Sequence, residues 1–488
     1  MSKVYISKLN ELYLKVDAEP STLHEIREHF TFFAHNYQYH PLVKKRLWDG
    51  RIPLLNIKTH TIYVGLLEKL KELLSSKGYE YDISFKNNSK EFSKVEAEQF
   101  ISTLNIPCKY ELRDHQIRAF THCVRNGRAV ILSSTNSGKS LSQYYLARFY
   151  EATQNKKILI IVPSIQLVRQ LRDNFISDYG YNGEIQEVMG GTDKENDNAR
   201  IFIGTWQSLY KLPSEYFEKF GAVFGDECHG LKGKSAIQLM QNIHSAKYRF
   251  GFTGTLEDVQ INKLVLEGMF GPIYTVTTNR EMIDKGVSSE IKIKILVLKH
   301  PKSSKALLKG ADYQSEVAYL IADKNRNRFI KNLSLSLKGN TLIIFNFVDG
   351  HGKILNDMIK KERENTFYIS GEVKLAERIK IIEKMKTLND YILTASYKTF
   401  QQGIDCPNID NIILALGYKG KVRLLQTIGR GLRVNVNKPY MTLYDIADDF
   451  GNKQPSYSLQ HLMVRIKHYH AEKFTYNTFN INLEENNG

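Results

Sequence analysis

The sequence predicts two tandem α/β domains, each a parallel sheet wound with helices, preceded by a small α+β N-terminal domain. Three observations support this. From Ala129 onward, short β-branched runs alternate with longer helical patterns, the signature of βαβ units in a parallel sheet. The alternation breaks at residues 284–289, where polar residues and glycine replace the apolar rhythm, and then restarts over a similar length. Residues 1–105 show no such winding, and a chain of 488 residues has room for three domains, each with its own core.

In chain order, Pro20-Ser21-Thr22 opens a helix, residues 30–34 and 37–40 read as short aromatic strands, and Asp49-Gly50 is a two-residue hairpin signal. Leu66, Leu67, Leu70, Leu73 and Leu74 fall at helical spacing, with Gly78 as the stop shortly beyond. The second domain, residues 106–286, carries expected strands at 129–133, 158–162, 201–204, 222–225 and 249–253. The third, residues 287–455, carries strands at 291–299, 341–345, 367–369, 391–395, 411–415 and 440–444 and a helix over 374–387. Residues 456–488 read as a basic helical tail.

Lys and Arg number 68 against 52 Asp and Glu, and the resulting charge of +16 favours a polyanionic partner. Cys108, Cys123, Cys228 and Cys406 are scattered, with neither a CxxC pair nor metal-ligand spacing. A reducing, cytoplasmic compartment is therefore expected. No apolar leader follows Met1, and apolar runs such as Ile158 to Val162 fall far short of the roughly 20 residues that span a bilayer.

The most informative segment is Ala129-Val-Ile-Leu-Ser-Ser-Thr-Asn-Ser-Gly-Lys-Ser140, a buried strand running into a small-residue loop and then a helix. That is the context of a P-loop. Backbone N–H groups of Ser134, Thr135, Asn136, Ser137 and Gly138 wrap the phosphates of ATP, Lys139 reaches the β- and γ-phosphates, and Ser140 offers a hydroxyl to Mg²⁺. Ser133 stands where the first glycine of the pattern falls, and Asn136 occupies the loop centre, where its tolerance of positive φ lets the turn form. Further on, Gly221-Ala-Val-Phe-Gly-Asp-Glu-Cys-His229 is an apolar strand ending in adjacent carboxylates. At the C-terminal edge of a parallel sheet Asp226 can hold Mg²⁺ and Glu227 can polarise the attacking water. A third segment, Gln426-Thr-Ile-Gly-Arg-Gly-Leu-Arg433, places Arg430 and Arg433 three apart on one helix face, as cations for a phosphate site shared by two domains.

These segments together resemble the motifs of superfamily two helicases. Leu112-Arg-Asp-His-Gln116 resembles the adenine-reading element, Val162 to Gln170 motif Ia, Ile203-Gly-Thr-Trp-Gln207 motif Ib and Thr253-Gly-Thr255 motif III. Ile343-Ile-Phe-Asn346 resembles motif IV, Thr394 through Gly403-Ile-Asp405 motif V, and Gln426 to Arg433 motif VI. The resemblance implies RecA-like motor domains and an ATP-dependent engine. It assigns nucleotide contacts to Arg113, Gln116, Gly403 and Asp405, catalysis to Gln426 beside the groups above, and coupling to His229, Thr253 and Thr255. It also assigns nucleic-acid contacts to Ser164, Arg169, Thr205, Gln207, Ser370, Gly371 and Thr394. With Trp48-Asp-Gly-Arg51 in a leading domain, the chain is similar to the recombination helicases of T-even-type phages. That implies action on branched DNA (junction migration, fork regression, R-loop unwinding) with phage recombination and single-strand-binding proteins as partners.

Lys44-Lys-Arg46, Trp48 and Arg51 cluster at the Asp49-Gly50 turn, just after Phe32, Phe33, Tyr37 and Tyr39. They are expected to grip phosphates and stack an unpaired base, the alternative being that the aromatics fill a small core. An RNA helicase is disfavoured by Asp-Glu-Cys-His and Thr-Gly-Thr. A duplex translocase without strand separation stays open.

Overall fold

The computed structural model describes residues 3–86, 90–107, 112–134, 136–257, 259–401, 408–432 and 440–484. It divides into two compact units, Met1–Ser133 with Gly138–Thr277, and Thr278–Gly488 with Ser134–Ser137.

The first unit opens with a four-stranded sheet in the order β5-β2-β1-β6, built from β1 (Val4–Lys8), β2 (Tyr13–Asp17), β5 (Thr61–Tyr63) and β6 (Tyr81–Ile83). Val4 and Ile6, and Leu14 and Val16, alternate inward, so one face is core. The turn between β1 and β2 is held by Asn10 Oδ1, which accepts from the N–H groups of Leu12 and Tyr13, both at 2.8 Å. Helix Pro20–His29 starts on its proline, and helix Leu67–Ser76 buries Leu67, Leu70, Leu73 and Leu74, the periodic positions.

Two expectations in this region need correction. Residues 37–40 are not a strand: Tyr37–Tyr39 forms a 3₁₀ turn entered through Asn36 at φ +54°. Asp49-Gly50 does not close a two-residue hairpin either, because β3 (Thr31–Phe33) pairs with β4 (Arg51–Pro53) across residues 34–50. The turn chemistry there is real but serves a longer loop. Asp49 Oδ1 accepts from Arg51 N–H at 2.9 Å, Gly50 sits at φ +82°, and the Tyr37 ring lies so close to Gly50 that a Cβ would fall 2.3 Å from it.

The rest of the unit is a seven-stranded, all-parallel sheet in the order β13-β7-β12-β11-β8-β10-β9. Its strands are β7 (Arg128–Ser133), β8 (Lys157–Val162), β9 (Ile185–Val188), β10 (Ile201–Thr205), β11 (Phe220–Asp226), β12 (Tyr248–Thr253) and β13 (Ile273–Thr277). The five read from the sequence are the central ones, covered on both faces and therefore largely apolar, with the fully buried Arg249 of β12, which donates to the carbonyls of Met269 and Ile243, as an exception. The edge strands β9 and β13 carry polar residues and do not stand out in the sequence.

The N-terminal sheet is fused to this motor sheet rather than tethered to it. The two share one apolar core, in which Leu66 and Leu70 join Leu266 and Met269. Glu11 N–H donates to His244 O at 3.0 Å, Arg128 Nη2 to Glu11 O at 2.9 Å, and Gln241 Nε2 to Tyr13 Oη at 2.9 Å. At Gly65 the backbones meet so closely that a Cβ would lie 1.8 Å from Glu267 O. Gly65→Ala is therefore expected to lower stability by about 1–3 kcal/mol, the usual cost of overpacking. An unchanged unfolding midpoint in urea would show that the seam is loose.

The second unit is another seven-stranded, all-parallel sheet, in the order β16-β17-β15-β18-β19-β14-β20. Its strands are β14 (Glu290–Lys299), β15 (Thr341–Phe345), β16 (Thr366–Ile369), β17 (Ile392–Ser396), β18 (Asn411–Leu414), β19 (Tyr440–Asp449) and β20 (Tyr476–Asn482). Helix Leu375–Lys386 matches its expected span closely. Thr278 and Glu281 form a reciprocal capping box that opens helix Asn279–Asp284, so the polar stretch 284–289 follows the start of the second unit instead of preceding it. The expected helical tail is only half helix. Tyr457–Ala471 is helical, and β20 then adds an edge strand parallel to β14. Its Tyr-Asn-Thr-Phe-Asn-Ile-Asn sequence is too polar to announce a strand by itself.

Candidate nucleotide and nucleic-acid site

Because every strand of the first motor sheet is parallel, their C-terminal ends share one edge, where loops meet ligands in such sheets. Along it, the order β7-β12-β11-β8-β10 places the phosphate loop, Thr253, Asp226, Ser164 and Thr205 in sequence. The residues expected to carry chemistry and those expected to meet nucleic acid thus occupy adjoining stretches of one edge.

In the loop after β7, Asn136 sits at φ +69° and Gly138 at φ +81°. The asparagine supplies the left-handed turn expected of it. The positive φ of Gly138 favours glycine there, and a Cβ would in addition push on the end of the Gln116 side chain, 2.3 Å from its Nε2. Gln116 ties the upstream element to the loop. Its Oε1 accepts from Arg113 N–H at 3.1 Å and its Nε2 donates to Gly138 O at 3.4 Å. Lys139 opens helix Lys139–Thr153, with Nζ donating to Ser133 O at 3.3 Å, and Ser140 Oγ lies 2.8 Å from the Tyr179 hydroxyl. Ser134 and Ser137 are buried, which leaves the loop backbone as their means of contact with a phosphate. Thr135 lies outside the described residues.

Asp226 ends β11 half-buried, and Gln143 Nε2 donates to its Oδ1 at 2.9 Å. Burial, and then the Glu227 charge beside it, push the Asp226 carboxyl above its ordinary range, against the opposing pull of Lys139 and Gln143. Such a carboxylate gains from a cation. Glu227 follows at φ +45°, a conformation non-glycine residues rarely adopt, which turns the chain sharply off the strand. Its Oε2 lies 3.3 Å from His229 Nδ1 and 3.5 Å from Thr253 Oγ1, and Thr253 Oγ1 is 2.9 Å from His229 Nδ1 and donates to Thr255 O at 3.0 Å. Two of the expected coupling residues, His229 and Thr253, therefore meet at the Glu227 carboxylate, and Thr255 holds Thr253 from behind.

Among the described residues no group of three or more His, Cys, Asp or Glu side chains could hold a metal by itself. One carboxylate and one hydroxyl, both hard oxygen donors, fit Mg²⁺, which usually takes few protein ligands and fills its shell with phosphate and water. Gln143 and Tyr179 were not singled out in the sequence. Gln143, four residues after Lys139 on the same helix face, was discoverable by spacing. Tyr179 carried no such signal.

On the adjoining stretch of edge, Ser164 caps helix Ile165–Asp173, its Oγ accepting from Leu167 N–H at 3.3 Å, and Arg169 is exposed on that helix. Gln207 is exposed and its Nε2 donates to Pro163 O at 3.3 Å, joining motifs Ia and Ib. Thr205 is buried and bonded to Ser208 at 3.0 Å, so it shapes the loop rather than presenting a hydroxyl. In the second unit, Gln426 and Arg430 are half-buried on helix Lys421–Gly431, with the Arg430 guanidinium 5.3 Å from the centre of the Phe400 ring. Gly371 is exposed after β16. Ser370 and Thr394 are fully buried, Thr394 inside β17, and neither can touch nucleic acid in this conformation. Gly403, Asp405 and Arg433 lie outside the described residues.

In the N-terminal loop, Lys44, Lys45 and Arg46 are exposed, as are Tyr39, Leu42 and Leu47. The other two expected contacts are engaged elsewhere. Trp48 is half-buried with its indole N–H donating to Arg51 O at 3.0 Å, and Arg51 pairs with Glu28 at 2.6 Å.

Three family models match in chain order: DNA helicase UvsW, N-terminal, over residues 7–86; Type III restriction enzyme, res subunit, over 109–258; and Helicase conserved C-terminal domain over 324–435. The ATP-dependent DNA helicase uvsW of Enterobacteria phage T4 is 34% identical over 498 residues, covering 96% of this chain and 98% of that protein. The chain belongs to the UvsW family of helicases. The crystal structure of T4 UvsW aligns over 99% of this chain and 100% of its own, with 32% identity and a TM-score of 0.52. Beyond the UvsW family, the DNA 3'-5' translocase XPB2 of Sulfurisphaera tokodaii is 24% identical over 375 residues, covering 69% of this chain and 82% of that protein. The UvsW match runs through the N-terminal sheet as well as both motor sheets, consistent with a leading domain fused to the first motor.

Proposed function

We infer that this chain is an ATP-dependent DNA helicase that acts on branched DNA. What carries the reading is the convergence of the phosphate loop with Asp226 and Glu227 on one sheet edge, in a chain similar to T4 UvsW along its length. The loop backbone and Lys139 bind the phosphates of ATP, and Gln116 steadies the loop beside Arg113 for the base. Ser140 and Asp226 would hold Mg²⁺, which would supply charge neutralisation at the phosphates. Glu227 accepts the proton of the attacking water, and Thr253 and His229 orient its carboxylate. Arg430 and Arg433 are proposed as the source of positive charge for the transferring phosphoryl group, with Gln426 as a neutral hydrogen-bond donor to it. Ser164, Arg169 and Gln207 are proposed to meet a DNA strand. The cytoplasm of an infected cell, with phage recombination and single-strand-binding proteins as partners, is the setting that follows from the phage relative.

The test is to measure ATP turnover and strand separation on single-stranded DNA, blunt duplex, four-way junction and R-loop. Separation of the branched substrates well above the blunt duplex supports the reading. Turnover on duplex with no separation on any substrate would instead favour a translocase, the activity named for XPB2.

The basic loop of the N-terminal domain is proposed to hold DNA phosphates, now through Lys44, Lys45 and Arg46 alone. Replacing the three with alanine should weaken junction binding and flatten its salt dependence by up to about 0.9 log unit for each phosphate left unneutralised. ATP hydrolysis without DNA should stay within about twofold. An unchanged salt slope in the folded variant would return these side chains to an ordinary solvated surface.

A further inference from the structure

We propose that Tyr179 and Gln143 are positioning residues for the two protein ligands of the nucleotide's Mg²⁺. The proposal rests on the nucleotide-site reading of Ser140 and Asp226 given above. Each ligand has a buried partner. The Tyr179 hydroxyl lies 2.8 Å from Ser140 Oγ with the tyrosine only 5% exposed, and Gln143, 1% exposed, donates to Asp226 Oδ1 at 2.9 Å.

The chemistry of each contact suits a ligand held ready. A serine hydroxyl has one proton and two lone pairs, so a bond to Tyr179 fixes its rotamer and still leaves a lone pair for a cation. An ionised carboxylate accepts at both oxygens, so Gln143 can occupy one and hold the group's plane while the other meets the metal. Gln143 stands four residues after Lys139, which lets one helix position both the phosphate-binding amine and the metal-binding carboxylate.

Tyr179 reaches Ser140 by a different route. Its N–H bonds Asn174 O at 2.9 Å at the end of the π-helical turn Asn174–Asp178, directly after the helix that carries Ser164 and Arg169. Single π turns are rare and frequent at functional sites, and this one closes its helix with Tyr179 as the residue that follows. The tyrosine's ring packs near Tyr144, at 5.3 Å between centres, and its hydroxyl ends beside Ser140 Oγ.

The test uses the full chain and a fluorescent ADP analogue, with affinity measured in EDTA and across a Mg²⁺ titration. Tyr179→Phe and Gln143→Met should each raise the Mg²⁺ concentration at half effect by roughly 3- to 10-fold, the range for removing one hydrogen bond. Affinity in EDTA should stay within about twofold, which a general loosening of the fold would not allow. Tyr179→Phe should add less than about twofold once Ser140 is alanine, and Gln143→Met should do the same once Asp226 is asparagine. Full additivity in these double variants, or an equal loss in EDTA, would overturn the assignment. If Ser140→Ala and Asp226→Asn themselves leave the Mg²⁺ requirement unchanged, the nucleotide-site reading falls, and this one with it. Should Gln143→Met fail to fold, Tyr179→Phe, which removes a single oxygen, decides the matter for its own half.

Discussion

Glu227→Gln is expected to slow steady-state ATP hydrolysis at least about 100-fold while ATP and DNA still bind, the loss typical for removal of a general base. The substitution is close to isosteric, so Thr253 Oγ1 and His229 Nδ1 keep a neighbour of the same shape, and the turn at φ +45° is unaltered. What disappears is the capacity to accept a proton. Asp226, one residue earlier, cannot substitute, because Gln143 and the proposed metal engage it. Filter binding of ATP and DNA alongside a phosphate-release assay reads both sides of the prediction. Turnover within a few-fold of the unaltered chain would mean that another group takes the proton.

The second large effect concerns stability. Arg465 and Asp445 are both fully buried where helix Tyr457–Ala471 packs on β19. Arg465 Nε donates to Asp445 Oδ2 at 2.9 Å, its Nη2 lies 2.8 Å from Oδ1, and the Tyr469 hydroxyl donates to the same Oδ2 at 2.7 Å. The guanidinium also fills the space above Gly417, where a Cβ would come within 2.4 Å of it. Arg465→Ala strands a buried carboxylate and opens a void, and should cost about 3–5 kcal/mol. For a unit of this size that corresponds to a melting transition roughly 6–20 °C lower. Arg465→Met combined with Asp445→Asn removes both charges and should recover much of the loss, since replacing a buried pair with neutral groups is far cheaper than breaking it. A single variant that melts with the unaltered chain would show that the C-terminal helix is not anchored there.

Much of this architecture was legible because buried parallel strands leave a strong imprint. β7, β8, β10, β11 and β12 are largely apolar runs covered on both faces, and each lies within two residues of its expected bounds. Edge strands leave a weaker one: β9 reads Ile-Gln-Glu-Val and β20 reads Tyr-Asn-Thr-Phe-Asn-Ile-Asn, so neither stands out from a loop. The small strands of the N-terminal sheet are hidden by their three to five residues. Asp49-Gly50 is a turn, as its residues indicate, but not a two-residue loop, because local dihedral preference says nothing about how far the partner strand lies along the chain.

The nucleotide site was legible for a related reason. Lys139, Ser140, Asp226 and Glu227 must sit at strand or helix ends in fixed spacing, and spacing survives in a sequence. Tyr179 meets Ser140 from 39 residues away through a π turn that no pattern announces. Thr394 illustrates what a motif position alone does not tell. A motif position suggests a nucleic-acid contact, and in this conformation the side chain is fully buried inside β17.

The most direct measurement is ATP-driven strand separation on a labelled DNA fork, run with the unaltered chain and with Lys139→Ala. The account predicts separation with ATP and Mg²⁺, none with a non-hydrolysable ATP analogue, and none with Lys139→Ala even though that variant still binds the fork. Separation that persists without hydrolysis, or in Lys139→Ala, would contradict the claim that this chain is an ATP-driven DNA helicase.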